Sequence, residues 1–152
     1  MKIKYLLPLV VIVALYAFTA KVSTVDNGLH LNGTWKLISG TEISNGVTKV
    51  TDYTKDQQMI KIINDTHFAF LKHRLVTSKD SSNNFDAGGG AYTLKGNQYT
   101  EHLDYYPNKN IEGNTFTFTI SIKGDTLIQQ GLEKLKTGGP EKIIYEKYIK
   151  VK

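Results

Sequence analysis

From Thr115 to Ile122 the chain alternates without a break: Phe116, Phe118, Ile120 and Ile122 fall on one side, and only Thr and Ser fall on the other. A period of two over eight residues is the mark of a strand with one dry face and one wet face. Similar short runs, rich in Thr, Ile, Val, Tyr and Phe, recur along the body and are separated by Gly, Asn and Asp pairs. They predict strands at 34–43, 58–63, 67–73, 90–95, 98–106, 115–123, 126–134 and 142–151. Asn45-Gly46, Asp65-Thr66, Gly96-Asn97 and Gly124-Asp125 supply the turns. Consecutive antiparallel strands with one apolar face must hide that face, and closing the sheet on itself does so while removing its edges. The expected fold is all-β: an eight-stranded antiparallel up-and-down barrel.

Turn length sets which side chains face inward. A Gly96-Asn97 turn pairs Leu94 with Tyr99 and Tyr92 with Glu101, which puts a carboxylate beside a tyrosine on the inner face. Around Asn64-Asp65-Thr66 two registers compete. A three-residue loop sets Ile62 against Phe68 and Ile60 against Phe70, whereas a two-residue loop sets Lys61 against Phe70. The three-residue register is the one expected, because it makes an apolar ladder.

The first residues differ from the body. Lys2 and Lys4 precede an apolar run from 5 to 18, interrupted by Pro8 and followed by the small residues Thr19 and Ala20. This is the pattern of a secretory signal, and the run is shorter than the ~20 apolar residues of a membrane span. Residues 1–20 are therefore expected to be a signal peptide, 21–31 a leader and 32–152 the barrel domain. The product is secreted or periplasmic, or alternatively tethered to the membrane through an uncleaved N-terminal segment. The chain has no Cys, which removes disulfides, Cys-ligated zinc, thiol nucleophiles and a lipid-modified N-terminal cysteine.

The 152 residues are 40% hydrophobic and 22% charged, ordinary for one globular domain. The formal charge of +5 drops by two once Lys2 and Lys4 leave with the signal. The C-terminal lysines Lys134, Lys136, Lys142, Lys147, Lys150 and Lys152 alternate with Glu133, Glu141 and Glu146, which reads as the wet face of strands and gives no reason to expect a nucleic-acid partner. His67, His73 and His102 fall on outward positions with no metal-ligand spacing, so neither a metal nor another cofactor is expected. Gly88-Gly89-Gly90 has no following Lys-Ser/Thr or helix and reads as a glycine-rich strand entry rather than a phosphate loop.

Asn32-Gly33-Thr34-Trp35-Lys36-Leu37, at the start of the first strand, resembles the Gly-x-Trp signature that opens lipocalins and the wider calycin group. The stretch from Ala87 to Glu101 is similar to the Gly-rich, Tyr-Thr, Tyr-Thr-Glu stretch of small exported lipocalin-like bacterial domains, many without an assigned function. The likeness covers roughly 31–152. It implies that Gly33, Trp35 and a basic residue of the last strand close the barrel base. Lys150 stands where the family has Arg, so its ammonium would cover Trp35 without a flat guanidinium.

These readings point to a non-catalytic binding protein that holds a small apolar or aromatic molecule among Phe68, Phe70, Tyr92, Tyr99 and Phe118, with Glu101 orienting it. As a structural residue, Glu101 would instead pair with Tyr92 and a cation such as Lys72 or Arg74. Two alternatives stand beside the carrier. One is a lyase or isomerase using Glu101 as base and Tyr92 as proton donor. The other is a filled barrel that binds an envelope protein through its outer surface.

Overall fold

A computed structural model describes residues 28–75 and 85–152. The segment 1–20, most of the leader 21–31 and the polar tract 78–84 lie outside the described residues. Nine strands follow one another: β1 (Gly33–Ser44), β2 (Val47–Asp52), β3 (Gln57–Ile63), β4 (His67–Arg74), β5 (Asp86–Lys95), β6 (Gln98–His102), β7 (Thr115–Lys123), β8 (Thr126–Glu133) and β9 (Lys142–Lys150). All pairings are antiparallel, each of β3 to β9 pairs with the next, and β1 closes the ring against β9. Along its other edge β1 pairs first with β3, through Gly33–Lys36, and then with β2, through Ser39–Ser44. β2 and β3 thus share one place, and the ring is an eight-stranded up-and-down barrel without helices among the described residues.

The strand absent from the sequence reading is β2. Its Val-Thr-Lys-Val-Thr-Asp run is exposed on both sides for most of its length, so burial never filtered its residues into a dry and a wet set. It exists because Asn45 and Gly46, with φ of 50° and 75°, form the tight turn that folds it back on β1. Asp52 ends it: its carboxylate accepts from the Thr54 amide at 2.9 Å and the Thr54 hydroxyl at 2.6 Å.

The β3–β4 register is the two-residue one, so the three-residue expectation is overturned. Ile63 faces Phe68, Lys61 faces Phe70, and the Asn64 amide bonds the His67 carbonyl at 3.0 Å. The Asn64 side chain accepts from the amides of Thr66 and His67, at 2.9 and 2.7 Å, which fixes the short turn. Ile60 and Ile62 consequently lie on the outer side, Ile62 43% exposed, and Lys61 goes in. The Gly96-Asn97 turn gives the expected pairs, Leu94 with Tyr99 and Tyr92 with Glu101. β6 stops at His102 instead of reaching 106; the chain bulges there and returns to bridge Gly89 through Tyr105.

One end of the barrel is solid. Trp35, Leu37, Ile63, Phe68, Tyr99, Phe118, Leu127 and Tyr148 interlock there, and each such burial contributes about 1.5–3 kcal/mol. The Trp35 indole donates to the Leu31 carbonyl at 2.7 Å. The Lys150 ammonium lies 5.2 Å from the centre of the Trp35 ring. Gly33, at φ +133°, passes so close that a Cβ there would stand 3.0 Å from the Lys150 side chain.

Candidate functional site

The lumen changes character where Lys61 enters it. This side chain is 2% exposed; its ammonium donates to Glu101 at 2.7 Å and to Gln129 at 3.0 Å. Three rings surround it, Tyr148 at 5.4 Å and Phe68 and Tyr99 at 5.8 Å each. A charge taken out of water needs a counter-charge and hydrogen bonds, and the partners on β6 and β8 provide both. Glu101 therefore has Lys61 as its cation. Lys72, the partner anticipated from sequence, pairs with Asp86 at 2.9 Å. The Tyr92 hydroxyl turns to the Asn64 carbonyl at 2.9 Å, so Glu101 and Tyr92 are not assembled as base and proton donor.

This polar layer is the floor of a cavity of about 370 Å³ reaching toward the end opposite Trp35. Its wall combines rings, those of Tyr53, Phe70, Tyr106 and Tyr148, with the ionisable side chains Lys61, Lys72, Asp86, Glu101, Glu133, Lys142 and Glu146. Gly88 makes room for two of the rings: Phe70 and Tyr106 stand 6.2 Å apart where a Cβ would lie 2.9 Å from both. The rim carries Ile111, Leu135 and Pro140. Two of its segments are tied together by Asn114, whose side chain donates to the Ile111 carbonyl and accepts from the Lys136 amide, both at 2.7 Å.

Three ion pairs account for the lysines: Lys61 with Glu101, Lys72 with Asp86 and Lys142 with Glu42. Glu133 and Glu146 are left without a close cation among the described residues. Burial, reinforced by the charge of Glu146, pushes the Glu133 carboxyl up to about 7. Burial also raises Glu146, although the Tyr148 hydroxyl donates to it at 2.6 Å. Burial and the neighbouring Asp86 push the Tyr106 phenol up to about 12.

Of the residues proposed from sequence as ligand contacts, Phe70 and Glu101 line this cavity. Phe68, Tyr99 and Phe118 are packed in the solid end, and Tyr92 packs against Tyr99 with ring centres 5.2 Å apart and planes tilted by 53°. The reading of the C-terminal charges as one wet face is corrected. Glu133 pairs in register with Lys142, Gln129 with Glu146 and Trp35 with Lys150, all on the inner side, while Lys134 and Lys147 stay outside. The signal for this was present in parity: Glu146 and Tyr148 are two apart, as are Leu127 and Gln129, so an inward Tyr or Leu carries its polar neighbour inward too. Lys61 had no such signal, because the length of the following turn decides its side.

Among the described residues no group of three His, Cys, Asp or Glu side chains is placed to hold a metal ion. No protein-family model matches the chain, and no curated protein matches it significantly.

Proposed function

We propose that this is an exported, non-catalytic, lipocalin-like binding protein that holds one small, partly apolar molecule in its barrel. The observation that carries this reading is the cavity of about 370 Å³ inside a closed β-barrel, lined by rings and a few convergent polar groups. Its volume falls within the range of small-molecule sites, roughly 300–1,000 Å³. The Gly33, Trp35 and Lys150 base and the single meander of strands support the family likeness. Export is supported by the signal-like sequence of residues 1–20.

Native mass spectrometry of material recovered from outside the cytoplasm is expected to show a chain shortened by about 20 residues, as a signal peptide of ordinary length requires, with a bound small molecule. In parallel, the neutral dye N-phenyl-1-naphthylamine is expected to bind with one-to-one saturation. Met59→Trp, which places an indole in the cavity wall, is expected to weaken it by about tenfold. An unliganded mass together with dye binding that is absent, or unchanged in Met59→Trp, overturns the carrier reading.

A further inference from the structure

The charge balance of the cavity narrows the class of ligand. Each lysine of the wall has its own carboxylate, at 2.7 Å for Lys61, 2.9 Å for Lys72 and 3.3 Å for Lys142. What remains is negative. The Glu133 side chain forms no hydrogen bond or ion pair among the described residues, and the Glu146 carboxylate is satisfied only by the Tyr148 hydroxyl. Lys61 and Lys142 act on Glu133 from a distance, as Lys61 and Lys72 do on Glu146, and neither carboxyl is returned to its ordinary range by them.

Both carboxylates are part-buried and line the cavity, whose wall also carries the rings of Tyr53, Phe70, Tyr106, Phe116 and Tyr148. The faces of those rings carry negative quadrupole charge, which attracts a cation and repels an anion. A second buried polar group lies behind the floor, in the solid end. The Tyr99 hydroxyl, on a residue 1% exposed, faces Glu101, and burial together with that carboxylate pushes its phenol up.

We propose that the cavity binds a small organic cation, an ammonium group carried on an apolar or aromatic body, with its charge set against Glu133 and Glu146 and its body against Phe70 and Tyr106. The proposal rests on the carrier reading above and specifies its ligand class. A neutral ligand leaves two part-buried carboxyls without a counter-charge, and an anionic one adds repulsion; both are disfavoured by the same wall that favours the cation.

The test is isothermal titration calorimetry of the full chain with three probes of matched shape: 2-phenylethylamine, 2-phenylethanol and 3-phenylpropanoate. The amine is expected to bind at least about tenfold more tightly than either of the others. Glu133→Gln and Glu146→Gln are each expected to weaken the amine by about fivefold and to leave the alcohol unchanged. Emission from Trp35, the only tryptophan, reports whether each variant is folded. If the alcohol or the acid binds as well as the amine, the cation class is overturned while the carrier reading stands. If the amine binds equally to wild type and both folded Gln variants, its charge is held elsewhere and the proposal also falls. If none of the three binds while N-phenyl-1-naphthylamine does, the cation class is overturned and the carrier reading stands.

Discussion

The ammonium of Lys61 illustrates how one charged side chain organises the barrel interior. Glu101 and Gln129 hold two of its hydrogens, and three aromatic faces exclude water around it. The net worth of such a pair against an apolar replacement is small, but leaving one partner alone costs about 3–5 kcal/mol. Lys61→Met is therefore expected to destabilise the protein by roughly that amount, and Glu101→Leu by a comparable one. The double variant is expected to recover about 2 kcal/mol or more relative to the sum, because it removes both charges together. Urea unfolding followed through Trp35 emission measures all three; additive losses would mean that Lys61 and Glu101 act independently.

At the scale of elements, the glycines of β5 show where backbone, not side chains, limits the sequence. A Cβ on Gly90 would stand 1.9 Å from the His102 carbonyl oxygen, at the bulge that turns β6 toward Tyr105. The nearest atoms to a Cβ on Gly88 belong to the rings of Phe70 and Tyr106, at 2.9 Å. Gly90→Ala is accordingly expected to cost more than about 3 kcal/mol, since backbone must move, and Gly88→Ala about 1 kcal/mol, since rings can tilt into the cavity. Comparing the two thermal midpoints checks the order, and a Gly88 variant less stable than the Gly90 variant would contradict it. The glycine tract announced a strand in the sequence but not this crowding, which depends on a bulge in its neighbour. The same limit applies to the β3–β4 hairpin. The alternation of 115–122 was legible because all four inward residues are apolar, whereas Ile60, Lys61 and Ile62 give opposite answers for opposite registers. Hydrophobicity favoured the wrong one. The Asn64 turn and the cation's partners on β6 and β8, distant in sequence, decide the right one.

Across the whole molecule the barrel divides into an apolar end that supplies stability and an ionisable end that spends part of it. The fold was readable because closure needs only strand number and alternation. The cavity was less so, because its polar wall comes from inner positions of β8 and β9 whose charges resemble a solvated face in isolation. The division makes stability depend on pH in a particular direction. The Glu133 carboxyl rises from its ordinary 4.5 to about 7 in the fold, so below pH 4.5 both folded and unfolded chains hold the proton and no penalty exists. Between 4.5 and 7 the unfolded chain releases the proton while the folded one keeps it, and stability falls as pH rises; above about 7 the penalty is constant. The loss from this group is up to about 3 kcal/mol, and Glu146, shifted the same way, adds to it. Asp52, lowered to about 2 by Thr54 and Lys55, acts in the opposite sense but only below about pH 4. The urea midpoint of the unliganded protein is thus expected to decline from pH 5 to pH 8, and Glu133→Gln to flatten that decline. A midpoint that instead rises across this interval would place a counter-charge beside Glu133 in the empty protein and remove the electrostatic reason for a cationic ligand. Saturation with 2-phenylethylamine is expected to flatten the decline as the Gln variant does, since a bound ammonium supplies from outside the charge that the barrel lacks.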